Sequence, residues 1–327
     1  MTDKQNNSAK NENVQYVAIS SDMFQTQNND AEIDLRELWN VIWRGKWIII
    51  VVTAIFAVVS ASYVLSLPNI YRSEALLAPT DADQNGGFTG VAGQLGGLAS
   101  LAGVNLGSPK VDKIGMAIEI LKSREFFAKF ATKHRILPDL MAVKGWDMAT
   151  NEMIYNEDIY SPNTNEWLRE VSLPKLPKPS LQEAKREFDK LLLITNSAET
   201  GMITISIEHY SPETAKLWVD WLIQDINLVM KERDKDEAIR SISYLQSQIS
   251  ETNIVGQKTL LYQLIEEQAK TLMFAEVRDE YVFKTIDPAL VPELKFKPKR
   301  ALIVIIGILL GGGLSMILVF IRHFRNL

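Results

Sequence analysis

The sequence predicts an α+β protein in which two transmembrane helices flank a mixed helix and strand domain that carries one very long extended helix. Three observations predict it. Residues 47–67 and 301–321 are long apolar runs, residues 202–209 alternate apolar and polar side chains as a strand does, and helical spacing runs from Pro212 to Lys284 without a further proline.

Ala301 to Ile321, ALIVIIGILLGGGLSMILVFI, is twenty-one residues without a charge. As a helix it is roughly 30 Å long, the thickness of a bilayer's hydrocarbon core. Pro288, Pro292 and Pro298 punctuate the approach, and Lys295, Lys297, Lys299 and Arg300 crowd the first turn, a collar that a buried core helix would not carry. Within the span Gly307, Gly311 and Ser315 recur at every fourth position, leaving one face nearly bare so that another helix backbone can approach. Glycine is also simply frequent in spans, and both readings stand. Trp47 to Leu67 is the other run, softened by Thr53, Ser60, Ser62 and Ser66. A cleaved signal peptide competes here, with Ser60-Ala61-Ser62 as its small-residue site, but the run is too long and begins too far from Met1. Thr53, Ala57 and Ala61 share one face, a partner for the glycine face of the last helix.

Residues 1–32 read as a disordered cytoplasmic tail, because ten Asn or Gln fall in the first thirty positions and apolar residues are few. Residues 33–46 read as an amphipathic juxtamembrane helix: Leu35, Leu38, Trp39, Ile42 and Trp43 line one face, and the tryptophans suit the headgroup level. Arg36, Arg44 and Lys46 precede the first span and only Arg72 closely follows it, which puts the N-terminus in the cytoplasm. The four positive residues before the last span point the other way. Long loops translocate with little regard to charge, however, and an even number of spans puts the tail 322–327 on the same side as the first. Residues 68–300 then form the domain on the far side, its base built from 70–135 and 181–215.

Tyr71 to Ala78 reads as the opening strand, stopped by Pro79. Residues 86–107 hold eight of the seventeen glycines with Leu95, Leu98, Leu101, Val104 and Leu106 among them, an apolar flap rather than a phosphate loop, since no GxxxxGK[ST] occurs. Ile114 to His134 reads as one helix with Phe126, Phe127 and Phe130 toward a core. Residues 138–180 are irregular; Trp146 and Trp167 there could stack on sugar rings, though burial is the commoner fate of a tryptophan. A short helix follows from Leu181 to Leu192, then Gly201 turns the chain into a half-buried strand, Met202 to His209.

Ser211-Pro212-Glu213 is a helix start: a hydroxyl to cap, proline at the first helical position and an acid against the positive end of the dipole. Unbroken to Lys284, that helix would reach roughly 110 Å. Lys231 to Glu237 is seven consecutive charges, which must project into solvent or meet charges on a neighbour. Ile242, Leu245 and Ile249 keep a narrow apolar seam of the coiled-coil kind, suited to a partner helix, and Asn253 to Gly256 marks a turn or kink.

The 46% apolar content supports a real core, a net charge of −5 argues against nucleic acid, and the lack of cysteine excludes disulfides, thiol catalysis and cysteine-held zinc. No GxSxG or HExxH occurs, and His134, His209 and His323 are scattered. Asp81-Ala82-Asp83 and Asp234-Lys235-Asp236 spell the DxD of metal-holding glycosyltransferases, but one sits in the glycine-rich loop and the other mid-helix. The expectation is no enzyme, no cofactor and no metal. Lys295 to Arg300 is the best candidate for ligand contact, through phosphorylated lipid heads, with simple anchoring of the span as the plainer alternative.

IDLRELWNVIWRGKW before the first span, ILKSREF at 120–126, ISIEHYSPETA at 205–215, LIEEQAKTLMFAEVRDEYVFKTIDPALVP at 264–292 and Pro298-Lys299 leading into Gly307 and Gly311 together resemble the Wzz-type chain-length determinants. The resemblance implies a periplasmic α/β base, a very long helix rising from it, and homo-oligomeric rings, octamers above all, in the bacterial inner membrane. It also implies a non-enzymatic regulator that sets the modal length of O-antigen with a Wzy-type polymerase on a lipid-linked polysaccharide. Enterobacterial common antigen or an exported capsule are alternative glycans; a membrane-anchored sensor or a glycosyltransferase are rivals of other classes. In this reading Pro288, Pro292, Pro298, Lys299, Arg300, Gly307, Gly311 and Ser315 couple to the membrane partner, Thr53, Ala57 and Ala61 pack the spans, and Ile242, Leu245 and Ile249 face another subunit. The lysine-rich Glu293 to Lys297 departs from relatives that place another proline there. The tyrosine-kinase branch of the wider group needs a cytoplasmic nucleotide domain, which the six residues after Ile321 do not supply.

Overall fold

A computed structural model describes residues 35–80 and 113–325. The expected tail, the glycine-rich flap and the first DxD lie outside the described residues. What is described divides into two compact units, Ser60–Val304 on one hand and the residues up to Val59 with those from Ile305 on the other.

Three helices build the second of these: α1 (Leu35–Arg44), most of α2 (Lys46–Ser66) and most of α9 (Arg300–Arg325). Both α2 and α9 are long and apolar enough to cross a membrane. On α1, Trp39 and Trp43 stack with ring centroids 6.3 Å apart and remain exposed.

The unit Ser60–Val304 opens with β1 (Tyr71–Pro79), continues through α3 (Lys113–Lys122), α4 (Arg124–His134) and α5 (Leu137–Met141), and then runs through two small hairpins. These pair β2 (Val143–Asp147) with β3 (Glu152–Tyr155) and β4 (Tyr160–Ser161) with β5 (Glu166–Trp167). There follow α6 (Leu181–Leu191), β6 (Leu192–Asn196), β7 (Ile203–His209), α7 (Pro212–Glu251), α8 (Val255–Val277) and β8 (Phe283–Asp287). A four-stranded antiparallel sheet in the order β6-β7-β1-β8 forms the base.

The core follows from periodicity. On α7 Trp218, Leu222, Ile226 and Met230 repeat every fourth residue and are fully buried, as are Ile203, Ile205 and Ile207 of β7 together with Phe127, Phe130 and Phe188. Each such side chain contributes about 1.5–3 kcal/mol by leaving water.

Four expectations change. The helix Ile114–His134 is two helices, because Ser123 leaves helical geometry and its hydroxyl accepts the Phe126 N–H at 3.1 Å, capping α4. The strand at 203–209 is buried on both faces rather than half-buried: Ile203, Ile205 and Ile207 lie in the core, and the outward Ser206 and Glu208 are covered as well, Glu208 by Arg72 and Lys297. The segment 138–180 holds the two hairpins. The single rod to Lys284 is a helical hairpin: α7 ends at Thr252, α8 packs back along it, and Lys235 of α7 pairs with Glu276 at the end of α8 at 3.0 Å. After that return the chain enters β8, which closes the sheet edge beside β1.

Candidate membrane-coupling site

In the helical unit, Gly311 of α9 lies tight against α2. A Cβ placed on it would lie 2.6 Å from the Phe56 Cβ and 3.3 Å from the Thr53 Cα, distances that only a hydrogen side chain relieves. Ser315, one turn on, is fully buried and bonds its hydroxyl to the Gly312 carbonyl at 2.7 Å. Gly307 is half-buried, and so are Thr53 and Ala57 on α2. Gly45, between α1 and α2, meets Val319 as tightly: its Cβ would sit 2.5 Å from a valine methyl. Sequence reasoning passed over Gly45, although a glycine beside a span deserved the same question as Gly311. Gly313, by contrast, faces open space.

In the sheet unit, where Ala61 is also half-buried, the expected collar is built into the fold. The chain leaves β8 at Asp287, and Ser73 donates its hydroxyl to the Leu290 carbonyl at 2.7 Å. It rejoins the start of β1 where Ile70 N–H donates to the Lys297 carbonyl at 3.0 Å and Phe296 N–H to the Ile70 carbonyl at 2.8 Å. Lys297 Nζ and Arg72 Nη2 then converge on Glu208 at 2.6 and 2.5 Å, with the Arg72 guanidinium 3.5 Å over the Phe296 ring. Burial would raise the Glu208 pKa, but the hydrogen bonds from Lys297 and Arg72 outweigh it and hold the carboxyl below its usual range. Arg300 donates to Asn69 at 3.1 Å. Of the four collar cations, Lys297 and Arg300 are therefore paired within the chain, while Lys295 and Lys299 are exposed. Pro288 is exposed, while Pro292 and Pro298 are half-buried.

The charge run divides between its two readings: Glu232, Arg233, Asp236 and Glu237 are exposed to solvent, and the others meet neighbours. Asp234 accepts from Lys113 at 2.9 Å and from the Tyr281 hydroxyl at 2.7 Å, and Lys231 donates to the Arg278 carbonyl. Ile242, Leu245 and Ile249 are half-buried on α7, the helix against which α8 packs. Large apolar side chains remain exposed elsewhere on the hairpin, among them Tyr244, Leu260 and Leu264.

Asn227 escaped sequence reasoning altogether. Its Oδ1 accepts the backbone N–H groups of Tyr281, Val282 and Phe283 at 3.1, 2.8 and 2.9 Å, and its Nδ2 donates to the Phe283 carbonyl at 3.0 Å. One buried amide thus docks the chain returning from α8 onto α7. Among the described residues no group of three His, Asp or Glu is placed to hold a metal ion.

Residues 31–134 match the family model described as chain length determinant protein, Wzz. Residues 254–324 match GNVR, a G-rich domain described on tyrosine kinases. No curated protein matches. Among solved structures the chain is similar to a full-length bacterial polysaccharide co-polymerase at 16% identity and a TM-score of 0.37, covering 90% of this chain and 99% of that one. It is similar to a fragment of the WzzB co-polymerase of Salmonella Typhimurium at 14% identity and 0.26, covering 70% and 100%. A mutant of the Shigella flexneri O-antigen chain-length regulator WzzB matches at 14% and 0.22, covering 69% and 99%. Likenesses this loose carry no argument.

Proposed function

We propose that the chain is a Wzz-type chain length determinant, as the match of residues 31–134 suggests, and that it sets the length of a polysaccharide without making a bond itself. The observation that carries the proposal is the family match over residues 31–134, which runs from α1 through the first span into β1, α3 and α4. In this reading the protein is a two-pass inner-membrane protein with both ends cytoplasmic and residues 68–300 in the periplasm. Copies assemble as a ring, an octamer by family resemblance, and gather a Wzy-type polymerase with its lipid-linked O-antigen. Pro288, Pro292, Pro298, Lys299 and Arg300 carry the coupling between domain and span, and Gly307, Gly311 and Ser315 carry it within the membrane.

Deleting the gene and separating surface polysaccharide by electrophoresis tests this. The expected result is loss of the preferred size while synthesis continues; an unchanged ladder refutes the role. The GNVR match at 254–324 favours asking the same of other glycans. Run on common antigen and capsule-like polysaccharide, the experiment names the glycan by which ladder shifts.

A further inference from the structure

Between α4, the β4-β5 hairpin and the start of α6 lies a groove of about 490 Å³, within the range of small-molecule sites. Its lining includes two cations, Arg135 and Lys178, and no carboxylate, on a chain whose net charge is −5. Neither cation has a hydrogen bond or ion pair among the described residues. Arg135 ends α4 in the left-handed region, φ 53° and ψ 34°, where glycine is the unstrained choice. An arginine there is held against backbone preference, the kind of outlier that accompanies function.

The remainder of the lining suits a ring bearing hydroxyls. Trp167 and Tyr160 are paired across the hairpin with ring centroids 4.9 Å apart, and the Tyr160 hydroxyl donates to Asn165 Oδ1 at 2.9 Å, leaving the Asn165 amide N–H groups to donate elsewhere. The loop bearing Lys178 is fixed in advance. Arg169 donates to the carbonyls of Pro177 and Leu176 at 2.6 and 2.8 Å and pairs with Glu183 of α6 at 2.5 Å. A stacking face, a free amide donor and two unmatched cations on a braced frame are the parts that recognise a sugar carrying a negative charge.

We propose that this groove binds an acidic sugar unit of a glycan, its ring against Trp167 and its carboxylate drawn by Arg135 and Lys178. The inference rests on the reading of the chain as a regulator of polysaccharide length and adds to it a direct contact with the saccharide.

The test is calorimetric titration of the purified full chain in nanodiscs with trigalacturonate, maltotriose and inorganic phosphate. Trigalacturonate is expected to bind at least tenfold more tightly than maltotriose, and phosphate to compete poorly. Arg135→Gly and Lys178→Gln should each weaken trigalacturonate about tenfold, the scale of one charge-assisted contact. Arg135→Gly relieves the left-handed backbone, so it should melt no lower than the parent, and its lost binding cannot be ascribed to misfolding. Absence of trigalacturonate binding, equal binding by Arg135→Gly, or phosphate alone binding as tightly, which marks a plain anion site, each overturns the proposal. If binding fails while gene deletion still erases the preferred size, the groove assignment falls and length regulation stands. Binding retained with an unaltered ladder sinks length regulation instead.

Discussion

Lys297, at the threshold of the last span, donates Nζ to Glu208 Oε2 at 2.6 Å, and Glu208 sits on the central strand β7. The same carboxylate takes Arg72 from β1, so one acid joins the strand that leaves the first span, the strand at the sheet centre and the segment that enters the second. Because its folded pKa lies below the unfolded value, this tie is fully present above about pH 4.5 and is lost as pH falls through the lowered folded value. We expect the melting temperature of the purified protein to drop in that acid range and Glu208→Gln to lower it at neutral pH while flattening the acid slope; an acid slope unchanged in Glu208→Gln counts against the tie.

Asn227 predicts a larger loss. Asn227→Leu leaves three buried N–H groups without an acceptor, at about 1–3 kcal/mol each, so a destabilisation of about 3 kcal/mol or more is expected. Asn227→Asp keeps the acceptor and forfeits only the Nδ2 donor, and should be milder. Hydrogen exchange at the amides of residues 281–283 reads this directly: protection should vanish in the leucine variant and persist in part in the aspartate variant.

His209 supplies a second pH dependence in a different window. It is buried and neutral: its Nδ1 accepts the Ser211 N–H at 3.0 Å, and its Nε2 donates to the Asp139 carbonyl at 3.2 Å. Burial pushes its pKa down to about 4, against the upward pull of the bond to the Asp139 carbonyl. The unfolded chain therefore binds the proton more readily. Stability is complete above about pH 6.5 and declines by about 3 kcal/mol as pH falls toward 4. Asp139, whose carboxyl burial pushes up, opposes this at the acid end. Chemical denaturation between pH 7 and 4 should show the decline, and His209→Gln should flatten it; a parallel curve in the variant removes histidine as the cause.

Gly311 and Gly313 separate close packing from mere glycine content. Gly311→Ala should force α2 and α9 apart at Phe56, whereas Gly313→Ala meets open space. With both proteins accumulating equally on an immunoblot, the first should shift the glycan ladder and the second should leave it alone. Equal ladders would detach the glycine face from length control.

What the sequence made legible was local. The charge-free runs needed only composition, and the start of α7 is written in Ser211-Pro212-Glu213, where the serine hydroxyl does accept the Thr214 N–H at 3.3 Å. β8 stayed hidden because Phe283 to Asp287 follows helical spacing without a proline, and its strand character comes from pairing with β1, some two hundred positions earlier. Asn227 was invisible for a related reason: a single polar residue on a helix has no local signal when its partners lie fifty-four to fifty-six positions on. The reversal of α7 into α8 was half legible, since Asn253 to Gly256 marked a break but not its angle. The groove drew notice only through Trp167; the strained Arg135 needs backbone geometry to be seen.

Ile70 and Lys297 are hydrogen-bonded neighbours, so the chain between them departs and returns at one spot. Such an insert is a closed cassette. Cut out and rejoined by a short peptide, it should fold as a water-soluble module, and exchanged whole for the corresponding stretch of a relative it would leave the spacing of the two anchors untouched.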